Sequence, residues 1–174
     1  MNKILIIVFV VFVSHFSMGW TQLTMIGETG HETIFPDSRK EEMNIFLENE
    51  SKYDFVETVE KLKFEIEKKT WKLTATHDLQ QTLKNFGKEV LPVQVFAICH
   101  PKHSGKILEK DDERIVSSMM PCRISVYKKS NGKTYLSRVN TSAMAKNFGG
   151  LIEQVMTDSS NEVEEIISGI IIKK

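Results

Sequence analysis

The sequence predicts an α+β domain, a two-layer sandwich in which a mostly antiparallel five-stranded sheet is covered by helices. Three observations carry that expectation. Five segments read as strands, some by strict apolar–polar alternation, and two of them flank the tight-turn signal Ser130-Asn131-Gly132. Two longer segments carry one apolar stripe each at helical spacing: Phe55, Val59, Leu62, Ile66 and Val163, Ile166, Ile167, Ile170. The order β-α-β-(α)-β-(α)-β-β-α-α mixes strands and helices without the strict β-α-β repetition of a parallel sheet.

The elements follow in order. Asn2 and Lys3 make a short positive start, and Ile4 to Val13 is an unbroken apolar run of ten residues. That is too short to cross a bilayer of about 30 Å as a helix. Ser17 and Gly19 are the small residues a signal peptidase accepts, so residues 1–19 read as a secretory signal cut before Trp20. The alternative is an uncleaved anchor extending through Trp20, which would place His15 in the apolar layer at a cost. No cysteine follows the run to support lipoprotein processing, and no later segment is apolar enough to span a membrane. Residues 20–42 contain turn formers and no sustained period, and are expected to form a flexible tether. The folded domain is expected over 43–174.

Met43 to Glu48 reads as the first strand and Asn49 to Tyr53 as a polar turn. Asp54 and Glu57 have the spacing of a capping box, opening a helix that runs to about Lys69. Trp71, Leu73, Ala75 and His77 alternate with Lys72, Thr74 and Thr76 as a half-buried strand. Asp78 caps a short helix, Leu79 to Asn85, closed by Gly87. Val90 to His100 is the most apolar strand, with Pro92 near its beginning. Ser104 to Lys110 and Val116 to Met120 can make helical turns. Cys122 to Lys128 and Thr134 to Val139 form the hairpin. Thr141 or Ser142 caps a helix that Gly149-Gly150 interrupts and Leu151 to Met156 resumes. A last amphipathic helix starts at Ser159 or Ser160.

Composition narrows the function. Hydrophobic residues make up 41% and charged residues 26% of 174, the balance of a single folded domain. Lys plus Arg equals Asp plus Glu at 23 each, and loss of Lys3 with the signal leaves a net charge of −1. Nucleic-acid binding needs a basic surplus to displace counterions, so no nucleic-acid partner is expected. No G-x-S-x-G, phosphate-binding glycine loop or H-E-x-x-H is present. The missing enzyme signatures favour a non-enzymatic binding or sensor module working in the periplasm or beyond.

Chemistry, if there is any, gathers near the third strand in Cys99, His100, His103 and Cys122. Alternation puts Cys99 in phase with Val95 and Ala97, and Cys122 in phase with Ile124 and Val126. If the two strands are antiparallel neighbours, both thiols are expected on one face and close together. Three readings then stand: a disulfide, as suits an exported protein; two buried thiols packed as small hydrophobes; or a redox, metal or haem site with His100 and His103 as further ligands. Against the last, His100 should face away from Cys99, and Pro101 bends the chain there. Arg123 points opposite the apolar stripe, as a surface charge or an anion contact. The pair Met119-Met120 reads as gap filler or as soft-metal donors. Asn49-Glu50-Ser51 and Asn140-Thr141-Ser142 match the glycosylation acceptor pattern.

Several of these segments together resemble the domain-of-unknown-function 302 family. They are Tyr53 to Leu62, His77 to Gln80, Ile98 to Leu108, and Met119 to Tyr127 followed by Asn131 to Tyr135. The resemblance covers about residues 43–172, and its most specific part is the Pro121-Cys122-Arg123 strand followed by the Gly132-Lys133 hairpin. It implies a compact α+β domain, often a homodimer, with no settled activity, and it adds weight to Cys122 and Arg123. A dimeric accessory role in the cell envelope is a further expectation. The chain departs from the family pattern in its longer N-terminal tether and in His100, where an asparagine or lysine is expected before the proline.

Overall fold

A computed structural model describes residues 44–173. The expected signal, the expected tether and the expected strand start at Met43 lie outside them. Within them the elements are β1 (Phe46–Glu50), α1 (Phe55–Lys68), β2 (Lys72–Asp78), α2 (Leu79–Asn85), β3 (Val93–Cys99) and α3 (Pro101–Leu108). A 3-10 helix (Glu113–Met119), β4 (Cys122–Lys128), β5 (Thr134–Val139), α4 (Thr141–Ala145) and α5 (Gly150–Ile167) complete the chain. The five strands form one sheet in the order β1-β5-β4-β3-β2, and every neighbouring pair is antiparallel. β2 to β5 are laid down side by side in sequence. β1 closes the far edge beside β5, so α1 crosses the whole sheet to connect β1 with β2 on the opposite edge.

The alternation of each strand decides which face is covered. Register sets Phe96 opposite Ile124 and Ile98 opposite Cys122, with Val126 opposite Leu136. These side chains meet Leu62 and Ile66 of α1 and Val163, Ile166 and Ile167 of α5 in one core. Burying each such aliphatic side chain stabilises the fold by about 1.5–3 kcal/mol. The other face carries Ala97, Val95, Arg123, Ser125, Ser137 and the stacked pair Tyr127–Tyr135, whose ring centroids are 6.2 Å apart. Burial and the carboxylate of Glu48, to which its hydroxyl donates, push Tyr127 up to about 12.

Local chemistry explains the boundaries. Asp54 Oδ1 accepts from the Glu57 N–H at 2.9 Å, which is half of the capping box; Glu57 turns instead to Lys61, 3.4 Å away. Asp78 caps α2 in the same way through the Gln81 N–H at 2.8 Å. At the hairpin Gly132 adopts φ +81°, a conformation that a side chain would strain, and Asn131 Oδ1 accepts from the Lys133 N–H at 3.0 Å.

Several expectations shift: among them, β3 starts at Val93, not Val90, and the 3-10 helix at Glu113, not Val116. β1 starts at Phe46 and runs through Glu50, because Asn49 and Glu50 pair with Leu136 and Tyr135 instead of turning. α3 begins at Pro101, not Ser104: proline fits the first helical position, where its missing N–H costs nothing. α4 is capped by Asn140, whose Oδ1 accepts from the Ala143 N–H at 3.3 Å, one residue before Thr141. No break occurs at Ser159-Ser160. α5 runs unbroken from Gly150 to Ile167 with both serines buried, since one continuous stripe from Val155 to Ile167 faces the rest of the domain. Gly149, at φ +70°, makes the separation between α4 and α5.

Candidate functional site

The strand ends near Cys99 and Cys122 meet α3, the 3-10 helix and α5. His100 is the cap of α3: its Nδ1 accepts from the Lys102 N–H at 3.2 Å. That fixes the proton on Nε2, which lies 3.3 Å from Thr70 Oγ1. Three residues on, His103 falls on the same helical stripe as Ile107, and both are buried. His103 packs against the rings of His100 and Trp71, with centroids 5.2 and 6.0 Å away.

Glu162 of α5 joins this group. Its Oε2 accepts from Trp71 Nε1 at 2.9 Å, and its Oε1 lies 2.9 Å from His103 Nε2. The latter contact has ion-pair distance without the alignment of a directed hydrogen bond, and His103 Nδ1 has no partner at all among the described residues. A buried polar atom left so costs about 1–3 kcal/mol. Burial pushes the Glu162 carboxyl up, but the nearby His103 ring and the Trp71 N–H together outweigh it and hold the carboxyl below its ordinary value.

The thiols are placed differently from expectation. β3 and β4 are antiparallel neighbours, as parity required, but Cys122 stands opposite Ile98, not in phase with Cys99. By register Cys122 belongs to the core face and Cys99 to the other. A strand with apolar residues on both faces does not disclose which phase is buried. Here the bulky Phe96 and Ile98 take the core and the smaller Val95 and Ala97 turn away. Cys99 ends β3 and Cys122 begins β4, so both still line one small cavity of about 30 Å³, beside Trp71, His100 and His103. Both are free thiols. Burial, and then Cys99, push the Cys122 thiol up.

Cys122 is the junction of three cavities. The second, about 60 Å³, is lined by His103, Cys122, Met119, Met120 and Met156 among aliphatic side chains. Neither inner cavity has room for a porphyrin. The third is a cleft of about 210 Å³ between the strand ends and α4 and α5, with Cys122, Arg123 and Arg138 in its lining. Arg138 is buried and fully engaged. Its Nε and Nη2 donate to the Glu164 carboxylate at 2.7 and 2.5 Å, and Nη1 donates to Asn49 Oδ1 at 2.6 Å. Arg123 is exposed and forms no ion pair among the described residues.

Sequence reasoning thus singled out five residues that the fold places around one strand end: Cys99, His100, His103 and Cys122 at the inner cavities, Arg123 at the cleft. It missed Glu162 and Arg138. Nothing local marks Glu162, which reaches the site only through the packing of α5. Arg138 sits at an inward position of β5, and an inward arginine opposite Ile124 is a signal that strand parity could have given. Both glycosylation-pattern asparagines have internal work: Asn49 holds Arg138 and Asn140 caps α4. Among the described residues no three His, Cys, Asp or Glu stand together so as to hold a metal ion, and no helix is long and apolar enough to cross a membrane.

No curated protein matches the chain. Its fold is similar to the crystal structure of an uncharacterized conserved protein DUF302 from Bacillus stearothermophilus, with a TM-score of 0.64 and 15% identity over 71% of this chain and 96% of that one. At that identity the likeness concerns the fold alone. The family model for "Domain of unknown function DUF302" matches residues 47–173, and the chain therefore belongs to this family.

Proposed function

We propose that this chain is an exported, non-enzymatic binding module whose ligand occupies the cleft at the start of β4. The observation that carries the reading is the contrast between the cleft's two arginines. Arg138 lies at its floor, neutralised by Glu164, while Arg123 stands beside Cys122 with no ion pair among the described residues. The walls contributed by Met119, Met144, Val139 and Val163 are apolar. One available cation over an apolar cleft of about 210 Å³ suits a small amphiphilic anion, with its carboxylate on Arg123 and its chain inside. Export rests on the N-terminal pattern: Asn2-Lys3, the apolar run Ile4 to Val13, and Ser17 with Gly19 before Trp20.

Calorimetric titration with hexanoate tests the reading. Saturable binding is expected, weaker for hexan-1-ol, and lowered at least tenfold by Arg123→Gln. Equal affinity for the alcohol and the acid, no saturable binding, or an Arg123→Gln variant that binds like the parent would each overturn it. N-terminal sequencing of secreted protein, expected to begin at Trp20, tests the export half separately.

A further inference from the structure

The cavity of about 60 Å³ behind the cleft concentrates a particular set of atoms. Of the residues around it, His103 and Cys122 are ligands of the nitrogen and thiolate class, and Met119, Met120 and Met156 bring three thioethers. Methionine alone would be read as gap filler. The second observation is His103 itself: it is 5% exposed, it lines this cavity, and its Nδ1 has no partner among the described residues. Its other nitrogen faces Glu162 Oε1 at 2.9 Å, and Trp71 holds that carboxylate from the other side. A carboxylate beside one ring nitrogen favours the proton there and leaves the other nitrogen's lone pair free, the arrangement that orients a histidine toward a metal.

We infer that this cavity is a soft-metal site taking a single Cu(I) ion, with Cys122 Sγ, His103 Nδ1 and one or more of the Met119, Met120 and Met156 sulfurs as ligands. Three physical points select the ion. No third His, Cys, Asp or Glu stands with Cys122 and His103 to hold a metal among the described residues, so a four-ligand zinc site is not assembled. Thioethers are soft donors and favour Cu(I) over zinc. Charge agrees as well: the Cys122 thiol releases its proton to solvent as the Cu–S bond forms, so the thiolate and the monovalent ion cancel. A divalent ion would leave a net positive charge among Ile107, Val116 and Val155, which burial penalises. The copper stays Cu(I) throughout, and no electron is transferred. This site is separate from the Arg123 cleft and stands or falls independently of it.

The test is anaerobic competition for Cu(I) between the full chain and bicinchoninate. One equivalent is expected to move to the protein, with a rise in its thermal midpoint. Cys122→Ser should weaken binding at least 100-fold. Glu162→Gln, which leaves every ligand atom in place, should weaken it about 10- to 100-fold, as removal of a partner behind a metal-bound histidine does. A Met119→Leu/Met120→Leu double variant should weaken it while keeping the fold, which circular dichroism checks. The inference is overturned if the parent takes no Cu(I) from bicinchoninate, or if Zn(II) binds as tightly. It also fails if Cys122→Ser binds as the parent does, which would place the copper on residues such as Met1, Met18, Met25 or His31.

Discussion

Two hydrophobic clusters in this domain are built on different principles. The larger, between the sheet and α1 and α5, is closed by branched aliphatics and two rings: Leu62, Ile66, Phe96, Ile124, Ile166 and Trp71 are essentially without exposure. The smaller joins Ile107, Val116 and Val155 under the 3-10 helix and is finished by Leu151 and Ile152 on one side and by the flexible Met119 and Met120 on the other. Of the voids at the Cys99–Cys122 strand ends, the larger lies in the second cluster, and the smaller lies between Trp71 and Ile98 of the first and Met120 of the second. Branched side chains have few rotamers and interlock, whereas methionine adapts and leaves space. The comparison teaches that one region closes tightly around the sheet while the other retains internal space, with Cys122 touching both.

The largest expected effect breaks or confirms that contrast directly. Leu62→Ala should cost about 4–5 kcal/mol in a urea titration, the upper part of the range for a buried leucine whose surroundings cannot collapse. Ile107→Ala removes a side chain equally hidden from solvent. It should cost only about 2–3 kcal/mol, because flexible neighbours can move into the space. Equal losses would mean that the second cluster is as rigid as the first.

The layout of the first region was legible in the sequence and much of the second was not, for a physical reason. The α1 stripe, the α2 cap at Asp78, the hairpin at Asn131-Gly132 and the bounds of β5 all depend on neighbours within a few residues. The inward set of α5 is legible in the same way, although its start is not: Ser159 and Ser160 look like cap residues until packing buries them. At the site, Cys99, His100, His103, Cys122 and Arg123 could be nominated by residue type. Their relations could not. The phase of β3 is hidden because both of its faces carry apolar residues, and Pro101 reads as a bend although its fixed backbone suits the first position of α3. The pairing of Glu162 with His103 and Trp71 spans 91 residues between Glu162 and Trp71, and no local pattern encodes it.

A smaller effect probes the hinge between the regions. The Glu162 carboxyl is held below its ordinary value although burial opposes this, because His103 and Trp71 favour the carboxylate. A carboxyl depressed in the folded state contributes stability that is present above its unfolded value of about 4.3, and that is lost as pH falls through the folded value. The urea midpoint should therefore decline on acidification below about pH 4.3, and Glu162→Gln should flatten that limb. The effect is modest because the Glu162 side chain is 39% exposed. An unchanged acid limb in the variant would detach Glu162 from the stability of the site.

The smallest effect concerns the thiols. Register places Cys99 and Cys122 on opposite faces of adjacent strands, a poor arrangement for a disulfide, which needs its Cβ vectors to converge. Thiol counting on protein from an oxidising compartment, unfolded without reductant, is expected to find both free. Burial, then the nearby Cys99, push the Cys122 thiol up, so less thiolate is present at a given pH and iodoacetamide should label it more slowly in the native protein than in urea. Cys99→Ser should speed that labelling slightly, because only the lesser of the two causes is removed. A group raised in the folded state contributes stability below its unfolded value, about 8.5 for a thiol, and that stability is lost as pH rises through the folded value. A shallow alkaline decline above about pH 8.5, absent in Cys122→Ser, is the matching equilibrium signature. Native labelling as fast as in urea would place Cys122 in solvent, and the inner cavity would then belong to the surface and not to the second cluster.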